Sequence, residues 1–383
     1  MNKIKFLKFL ITMIVIILII QLIYVLYYFF FVQDNKYYFD GVNSIINIED
    51  SYYVVGSNND NNNYFEKAKV SSYDKDFNKL KEKLYNNEFS SVYYDLVVDD
   101  DSVVTVGSFE ENKKAHKNKH TKALLVKYDK DGNVLFEKTF GKLSKTSFTG
   151  LINEDSYYAT GYSNSSTDKS GGAYLLKIDK INGNIKWKKH FGNRQYAKYN
   201  DLVKIDDYIY AVGLYDKNVA LIAKYDLKGK MISYKKYAYS DDIGFSSITY
   251  DDDYLYVIGS KINGEESEGK KALIVKYDYD LNKENEVTFG DNYARYNKLL
   301  LDGDKIIVVG IEKKKNYNGI ISMYSKDLEE IDVVSYRNDD DSFFTDIIKV
   351  DGDYVVCGYS SYKRNYLTKF ITYSNALKVL EVK

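Results

Sequence analysis

Seven recurrences of a glycine-closed apolar run, four short strand signals in each recurrence and one long uncharged stretch at the N-terminus predict an all-β fold, a seven-bladed β-propeller preceded by one N-terminal transmembrane helix. This reading divides the 383 residues into a cytoplasmic N-terminus (1–8), a transmembrane helix (9–32), a short linker or ring-closing strand (33–40) and the propeller (41–383).

The stretch from Phe9 to Val32, "FLITMIVIILIIQLIYVLYYFFFV", runs 24 residues without a charge. As a helix it spans roughly 36 Å at about 1.5 Å per residue, enough to cross a bilayer core with some tilt. Lys3, Lys5 and Lys8 stand on its N-terminal side, which favours a cytoplasmic N-terminus and an exported remainder. Tyr24, Tyr27 and Tyr28 fall toward the outer interface. A cleaved signal peptide is the rival reading. Its apolar region is shorter and ends in small residues, whereas no alanine occurs here before Ala68. An uncleaved anchor is therefore expected, with the lipid bilayer as its partner.

The glycine closes "SYYVVGS" at Gly56, "SVVTVGS" at Gly107, "SYYATGYS" at Gly161, "YIYAVGL" at Gly213, "YLYVIGS" at Gly259, "KIIVVGI" at Gly310 and "DYVVCGYS" at Gly358, at spacings of 51, 54, 52, 46, 51 and 48 residues. Glycine inside a strand marks a bulge or a close backbone approach, so seven at one position mark one geometric need. A first strand such as "YNDLVKI" (199–205) leads into this second strand through an acidic "DD" or "DG" turn. Those residues tolerate the positive φ that two-residue hairpins need. The third signal, "ALLVKYD" (123–129), returns as "AYLLKID", "ALIAKYD" and "ALIVKYD", and more weakly as "AKVSSYD", "GIISMYS" and "TKFITYS". Its continuous apolarity fits a strand covered on both faces, as in a blade sandwiched between neighbours. The fourth signal follows a turn and ends in an aromatic, as in "NVLFEKTFG" and "NIKWKKHFG". The last unit carries its own fourth strand in "ALKVLEVK", and "NKYYFDG" (35–41) reads as a fourth-strand ending that pairs beside it and closes the ring.

"YLLKIDKINGNIKWKKHFG", preceded by "SYYATGYS", resembles the repeat of bacterial exported β-propeller proteins, in which a glycine-ended strand precedes a lysine-aspartate strand, a glycine turn and a tryptophan-lysine-aromatic-glycine strand. The resemblance covers Gly41 to Lys383 and is strong in units two to five. Units one, six and seven lose the third-strand lysine, and only unit three keeps the tryptophan, as Trp187. The resemblance implies the fold and export. That family is functionally diverse, so it supplies no reaction.

A formal net charge of −1 provides no global field toward nucleic acid, and no nucleic-acid partner is expected. The 41 tyrosines, the absence of proline and the dominance of lysine over arginine read as AT-rich coding. Tyrosine number is therefore discounted as evidence for ligand stacking, although tyrosine also forms strands well. Cys357, the single cysteine, excludes an intrachain disulfide and reads as inert core.

Binding candidates gather where loops vary. Seven residues separate Gly213 from Ala220, but sixteen separate Gly107 from Ala123, and this second-to-third-strand loop shares a face with the link to the next blade. The longest such loop, "SFEENKKAHKNKHTK" (108–122), carries Lys113, Lys114, His116, Lys117, Lys119, His120 and Lys122. It reads as a contact for an anionic partner or as a solvated charge run. His116 and His120 have helix-face spacing for a metal, but no third ligand is evident, and no metal site or cofactor is assigned. Arg194 and Arg295 precede first strands on the same face and are anion-contact candidates. Tyr93, Phe148, Tyr199, Phe245, Tyr296 and Phe344 open six first strands, and the ring they form either stacks on a ligand at the channel mouth, with Tyr199 and Tyr296 as candidates, or packs between blades. "DKDGN" (129–133) resembles half of a calcium loop, but the other units break its spacing, so it reads as a hairpin turn.

No Gly-x-Ser-x-Gly elbow, zinc histidine motif or phosphate-cradling loop occurs, and His190 reads as an exposed structural residue. Asp95, Asp201 and Asp346 occupy matching first-strand positions, which marks a repeat feature more than a catalytic pair. The leading expectation is a membrane-anchored, extracytoplasmic binding or scaffolding module for a protein or polysaccharide. The alternatives are a carbohydrate-active hydrolase or lyase with acids at the channel mouth, and an accessory of an envelope assembly machine.

Overall fold

Twenty-eight strands among the described residues group into seven antiparallel blades of four, spanning 39–84, 91–140, 145–191, 197–237, 243–289, 294–336 and 341–382. The computed structural model describes Gln21 and residues 39–383, except 60–64, 87, 112–119, 142–144, 165–170, 193–195, 217–218, 238–242, 263–268, 338–339, 363–364, 375–376 and 378. The transmembrane reading of 9–32 lies outside the described residues apart from Gln21. Among the described residues no helix is long and apolar enough to cross a membrane. Phe39–Lys383 forms one unit in itself.

The glycine period has a single physical cause. In each blade the first strand bulges by one residue opposite the second-strand glycine, between Tyr93 and Asp95 in blade two and between Tyr199 and Asp201 in blade four. A Cβ on Gly107 would lie 1.9 Å from the carbonyl oxygen of Val92, and the other six glycines meet the equivalent oxygen at 1.9–2.0 Å. No side chain fits there, so glycine is required seven times. The turns between first and second strands behave as their sequence predicts, with positive φ at Glu49, Asp100, Asp206, Gly303, Asp351 and Gly352.

Second and third strands form the core, which lies between blades. Val104, Val106 and Leu125 of blade two pack with Phe148, Leu151 and Tyr157 of blade three, and the same arrangement repeats around the ring. Among the described residues the twelve largest fully buried side chains are all tyrosines, which gives the tyrosine excess a structural use. In blades two, four and six the first-strand tyrosine shares a buried hydrogen bond with the third-strand tyrosine: Tyr93 with Tyr128 at 2.7 Å, Tyr199 with Tyr225 at 2.7 Å and Tyr296 with Tyr324 at 2.8 Å. Fourth strands form the outer edge. In blades two and three they alternate exposed and half-buried residues and carry lysines, as in Ile185–Phe191, "IKWKKHF", which blunts an edge against pairing with other chains.

The ring ends meet between blades seven and one. Phe39 bridges Tyr366 in parallel, and Lys270 and Tyr293 make the same bridge between blades five and six. Residues 39–41 of the segment 35–41, which the sequence suggests as a fourth-strand ending beside the last strand of blade seven, instead head the first strand of blade one, Phe39–Ile48, and bridge the third strand of blade seven, while residues 35–38 lie outside the described residues. Blade seven keeps its own fourth strand, Val379–Val382, paired with Asn365–Tyr373.

Candidate functional site

The bulge that imposes the glycine also turns two consecutive residues of the first strands toward the central channel. The bulge residues are Asn43, Tyr94, Thr149, Asn200, Ser246, Asn297 and Thr345. Six of them donate to a main-chain carbonyl of the next blade. Asn43 reaches Tyr93 (2.7 Å), Thr149 reaches Tyr199 (2.6 Å), Asn200 reaches Phe245 (2.5 Å), Ser246 reaches Tyr296 (2.7 Å), Asn297 reaches Phe344 (2.6 Å) and Thr345 reaches Val42 (2.9 Å). A belt of circumferential hydrogen bonds therefore lines the channel, interrupted at Tyr94.

The next residue of each strand forms a second ring: Ser44, Asp95, Gly150, Asp201, Ser247, Lys298 and Asp346. Its carboxylates are clamped across blades. Asp95 accepts the Leu151 amide (2.8 Å) and its own Leu96 amide (3.0 Å), and Asp346 accepts the Ser44 hydroxyl (2.6 Å) and the Ile45 amide (3.0 Å). Asp201 accepts the Leu202 amide (2.9 Å), the Ser247 hydroxyl and the Lys298 ammonium (3.2 Å). The repeat reading of these aspartates has this mechanical basis, since each staples two adjacent first strands.

Lys298 breaks the pattern of small and acidic residues, and it sets the electrostatics. Burial alone would lower its pKa, but Asp201, Asp95 and Asp346 together raise it, so it remains an ammonium. Burial pushes Asp95 up to about 7 against the opposing charge of Lys298, and burial likewise raises Asp346. Three carboxylates thus share one cation around a cavity of about 110 Å³. Pockets that hold a drug-sized ligand are about 300–1,000 Å³, so this constriction accommodates waters rather than a sugar ring.

On the loop-bearing face Arg295 is exposed and Lys198 is half-buried. Arg194 and Lys113, Lys114, His116, Lys117 and Lys119 lie outside the described residues. His120 pairs with Glu111 in the strand ladder and Lys122 forms a 3.1 Å ion pair with Glu111, so both ends of the predicted basic loop are strand. Tyr199 and Tyr296 are fully buried with bonded hydroxyls, which places them in interblade packing rather than on a ligand-accessible wall. Tyr93, Phe148, Phe245 and Phe344 are buried in the same way. Rings reachable from solvent stand elsewhere on this face. Tyr293 contacts Tyr317 (5.7 Å between centroids), Tyr317 contacts Phe343 (5.5 Å), and Phe343 stacks on Tyr359 (5.0 Å).

In "DKDGN" the Asp129 carboxylate accepts the Asp131 and Asn133 amides of its own turn, and Asp74, Asp226 and Asp278 do the same, so these motifs are hairpin turns. Cys357 is buried, and burial pushes its thiol well up. Among the described residues no group of three or more His, Cys, Asp or Glu side chains is placed to hold a metal. Sequence reasoning missed the hydrogen-bonded belt. Its signal was legible as an aromatic followed by Asn, Ser or Thr in "YND", "FTG", "FSS", "YNK" and "FTD".

No family model and no curated protein matches the sequence. Solved structures do. The BP39L lectin from Burkholderia pseudomallei superposes with a TM-score of 0.63 at 7% identity, covering 90% of this protein and 98% of that one. Sqt1 of Chaetomium thermophilum, bound to the N-terminus of the ribosomal protein L10, gives 0.53 at 10% identity over 91% and 90%. The β-propeller domain of the Trilobed protease from Pyrococcus furiosus, described as having an open velcro topology, gives 0.52 at 11% identity over 91% and 95%. At these identities the likeness shows the propeller fold alone.

Proposed function

We propose that the protein is a membrane-anchored, extracytoplasmic interaction module that offers the loop-bearing rim of its propeller to a partner protein. The observation that carries this reading is the division of labour within each first strand. Its channel-facing side chains are spent on hydrogen bonds and ion pairs that tie blades together, whereas the same strand's upper end opens onto a face with variable loops, exposed cations and reachable aromatic rings. A rigid scaffold carrying variable loops is the usual layout of a binding surface. Export and anchoring follow from the 24 uncharged residues and the lysines before them.

The hydrolase reading needs two carboxylates reachable by a sugar. Asp95, Asp201 and Asp346 are instead bonded to main-chain amides around a small cavity, which favours binding over hydrolysis. Crosslinking in intact cells followed by pull-down tests the binding proposal. A partner crosslinked to rim residues supports it, and crosslinks confined to the opposite face overturn it. Protease added to intact protoplasts is expected to digest the propeller, and deletion of residues 1–32 is expected to release it from membranes. Protection, or retention on the membrane, overturns the topology.

A further inference from the structure

We propose that the cleft between blades five and six, on the loop-bearing face, is a binding site for a neutral saccharide. This inference goes beyond the reading of the rim as a face for a partner protein, and neither depends on the other.

The cleft opens where the link from blade five to blade six passes the end of the second strand of blade six, and it holds a cavity of about 610 Å³. Small-ligand pockets run from about 300 to 1,000 Å³, so this one has the room that the channel constriction lacks. Two half-buried rings, Phe289 and Tyr293, line it. Phe289 stacks on the buried Tyr296 at 6.2 Å between centroids, and Tyr293 meets Tyr317 edge-on, so packing fixes both walls. The feature that points to a ligand is Glu312. It stands two residues after Gly310, where the other blades carry Asn58, Phe109, Ser163, Tyr215, Lys261 and Ser360, so a carboxylate there is no part of the repeat. Its side chain lines the cavity and is only 7% exposed, yet among the described residues it accepts no hydrogen bond. It has an ion pair with Lys314 at 3.4 Å, and that lysine side chain is 55% exposed. A buried carboxylate without hydrogen-bond donors is costly, and a ligand hydroxyl supplies them.

The charges around the cleft select the ligand class. Among the described residues two ammonium groups, Lys313 and Lys314, stand against two carboxylates, Asp291 and Glu312. Lys313 lies over the Tyr317 ring at 5.4 Å from its centroid, a contact that leaves its N–H groups able to donate. A cationic ligand would compete with Lys314 for Glu312, and an anionic one would meet both carboxylates. A sugar without charge does neither. Its hydroxyls donate to Glu312 and Asp291 and accept from the two ammonium groups, in charge-assisted hydrogen bonds, with the exposed Asn292 amide as a further partner. The apolar C–H face of its ring packs on an aromatic wall, which Phe289 and Tyr293 provide.

The test uses the full-length protein in micelles of a detergent without a sugar headgroup. Maltose, cellobiose, lactose and N,N′-diacetylchitobiose at millimolar concentration are each followed by saturation-transfer-difference NMR, beside glucuronate and arginine as charged probes. At least one of the neutral disaccharides is expected to bind, with the strongest transfer to its ring C–H protons, and to be recovered uncleaved. Glu312→Leu is expected to weaken that binding about tenfold, the worth of a hydrogen bond to a charged group. Asn292→Ala and Tyr293→Leu are each expected to weaken it several-fold with thermal unfolding unchanged, because the bonds that Lys270 (3.0 Å) and Lys313 (2.7 Å) make to these two residues go to their main-chain carbonyls. No binding by any neutral probe overturns the site, as does binding that Asn292→Ala and Tyr293→Leu leave unchanged. Binding of glucuronate or arginine alone overturns the neutral assignment, and cleavage of a disaccharide overturns the reading of the cleft as a binding site. Failure here leaves the rim reading standing, since that reading is judged by where a partner crosslinks to the wild-type protein.

Discussion

The hydroxyl of Thr345 donates to the main-chain carbonyl of Val42 at 2.9 Å, joining residues 303 positions apart and completing the hydrogen-bonded belt where the two ends of the propeller meet. Away from that seam the same bond runs from Thr149 to Tyr199 at 2.6 Å. Valine has the shape of threonine without the donor, so Thr345→Val removes the bond and leaves a buried carbonyl short of a partner. The expected loss is about 1–2 kcal/mol. It is read as a lower urea midpoint at unchanged slope, and Thr149→Val is expected to give a similar loss. Midpoints within error of the wild type for both would show that the belt adds nothing to stability.

The glycine column gives a larger and more local effect. Gly107→Ala places a methyl group 1.9 Å from the Val92 oxygen, inside a strand pair whose atoms are all backbone and cannot step aside. A loss of about 3 kcal/mol or more is expected, at the severe end for overpacking. Gly303→Ala is the control. Nothing lies within 4 Å of its added methyl, and only its φ of +61° opposes alanine, so about 1 kcal/mol is expected there. Equal losses at the two sites would show that close approach is not what requires Gly107.

Why the period was legible and the site was not follows from these same residues. The glycine is imposed by sterics local to one strand pair, so it appears in the sequence wherever the geometry appears. The alternation of strands and the continuous apolar third strand are likewise local in origin. The clustering of Lys298 with Asp201, 97 residues away, and with Asp95 and Asp346 arises only when seven first strands are brought around one axis. The sequence left Tyr199 and Tyr296 between two readings because a first-strand residue near the channel mouth faces either the channel or the neighbouring blade. The bulge that decides between them falls just after each aromatic.

Stability is expected to depend on pH through Asp95. Its pKa of about 7 in the folded protein exceeds the ordinary value of about 3.9 for an unfolded polypeptide. Between those values the folded state holds a proton that the unfolded state has released. The contribution is therefore fully present below about pH 4 and is lost as pH rises through about 7. Asp346, also raised by burial, acts with the same sign. Asp302, lowered by its bonds to Lys349 and Tyr354, acts oppositely, with stability lost as pH falls below the ordinary carboxylate range. Asp95→Asn retains a side-chain oxygen for the Leu151 amide but cannot titrate. Its thermal midpoint relative to the wild type is expected to rise steadily from pH 4 to pH 7. Parallel curves for the two proteins would rule out Asp95 as the source.

A second device marks the seam closed by Thr345. Lys69 lies opposite Gly56, at the position held by Leu124, Leu221 and Leu273 opposite their own glycines, yet it is as buried as they are. Its ammonium pairs with Asp40, at the head of blade one, and reaches Thr368 of blade seven at 3.3 Å, while the Thr368 hydroxyl donates to the Asp40 carbonyl at 3.1 Å. Burial lowers the Lys69 pKa, and the Asp40 carboxylate works against that shift. Lys69→Met would supply the apolar bulk of the leucine blades but strand the Asp40 carboxylate in the seam, a change expected to cost about 3 kcal/mol. Lys69→Met combined with Asp40→Asn removes both charges and is expected to recover most of that loss, because a neutral pair in a dry seam carries no uncompensated charge. Equal instability of the single and double variants would show that bulk, and not the ion pair, determines the fit at this seam. Recovery would identify the pair as a device that fixes which two blades meet, since it occurs where blade seven must find blade one across the length of the sequence.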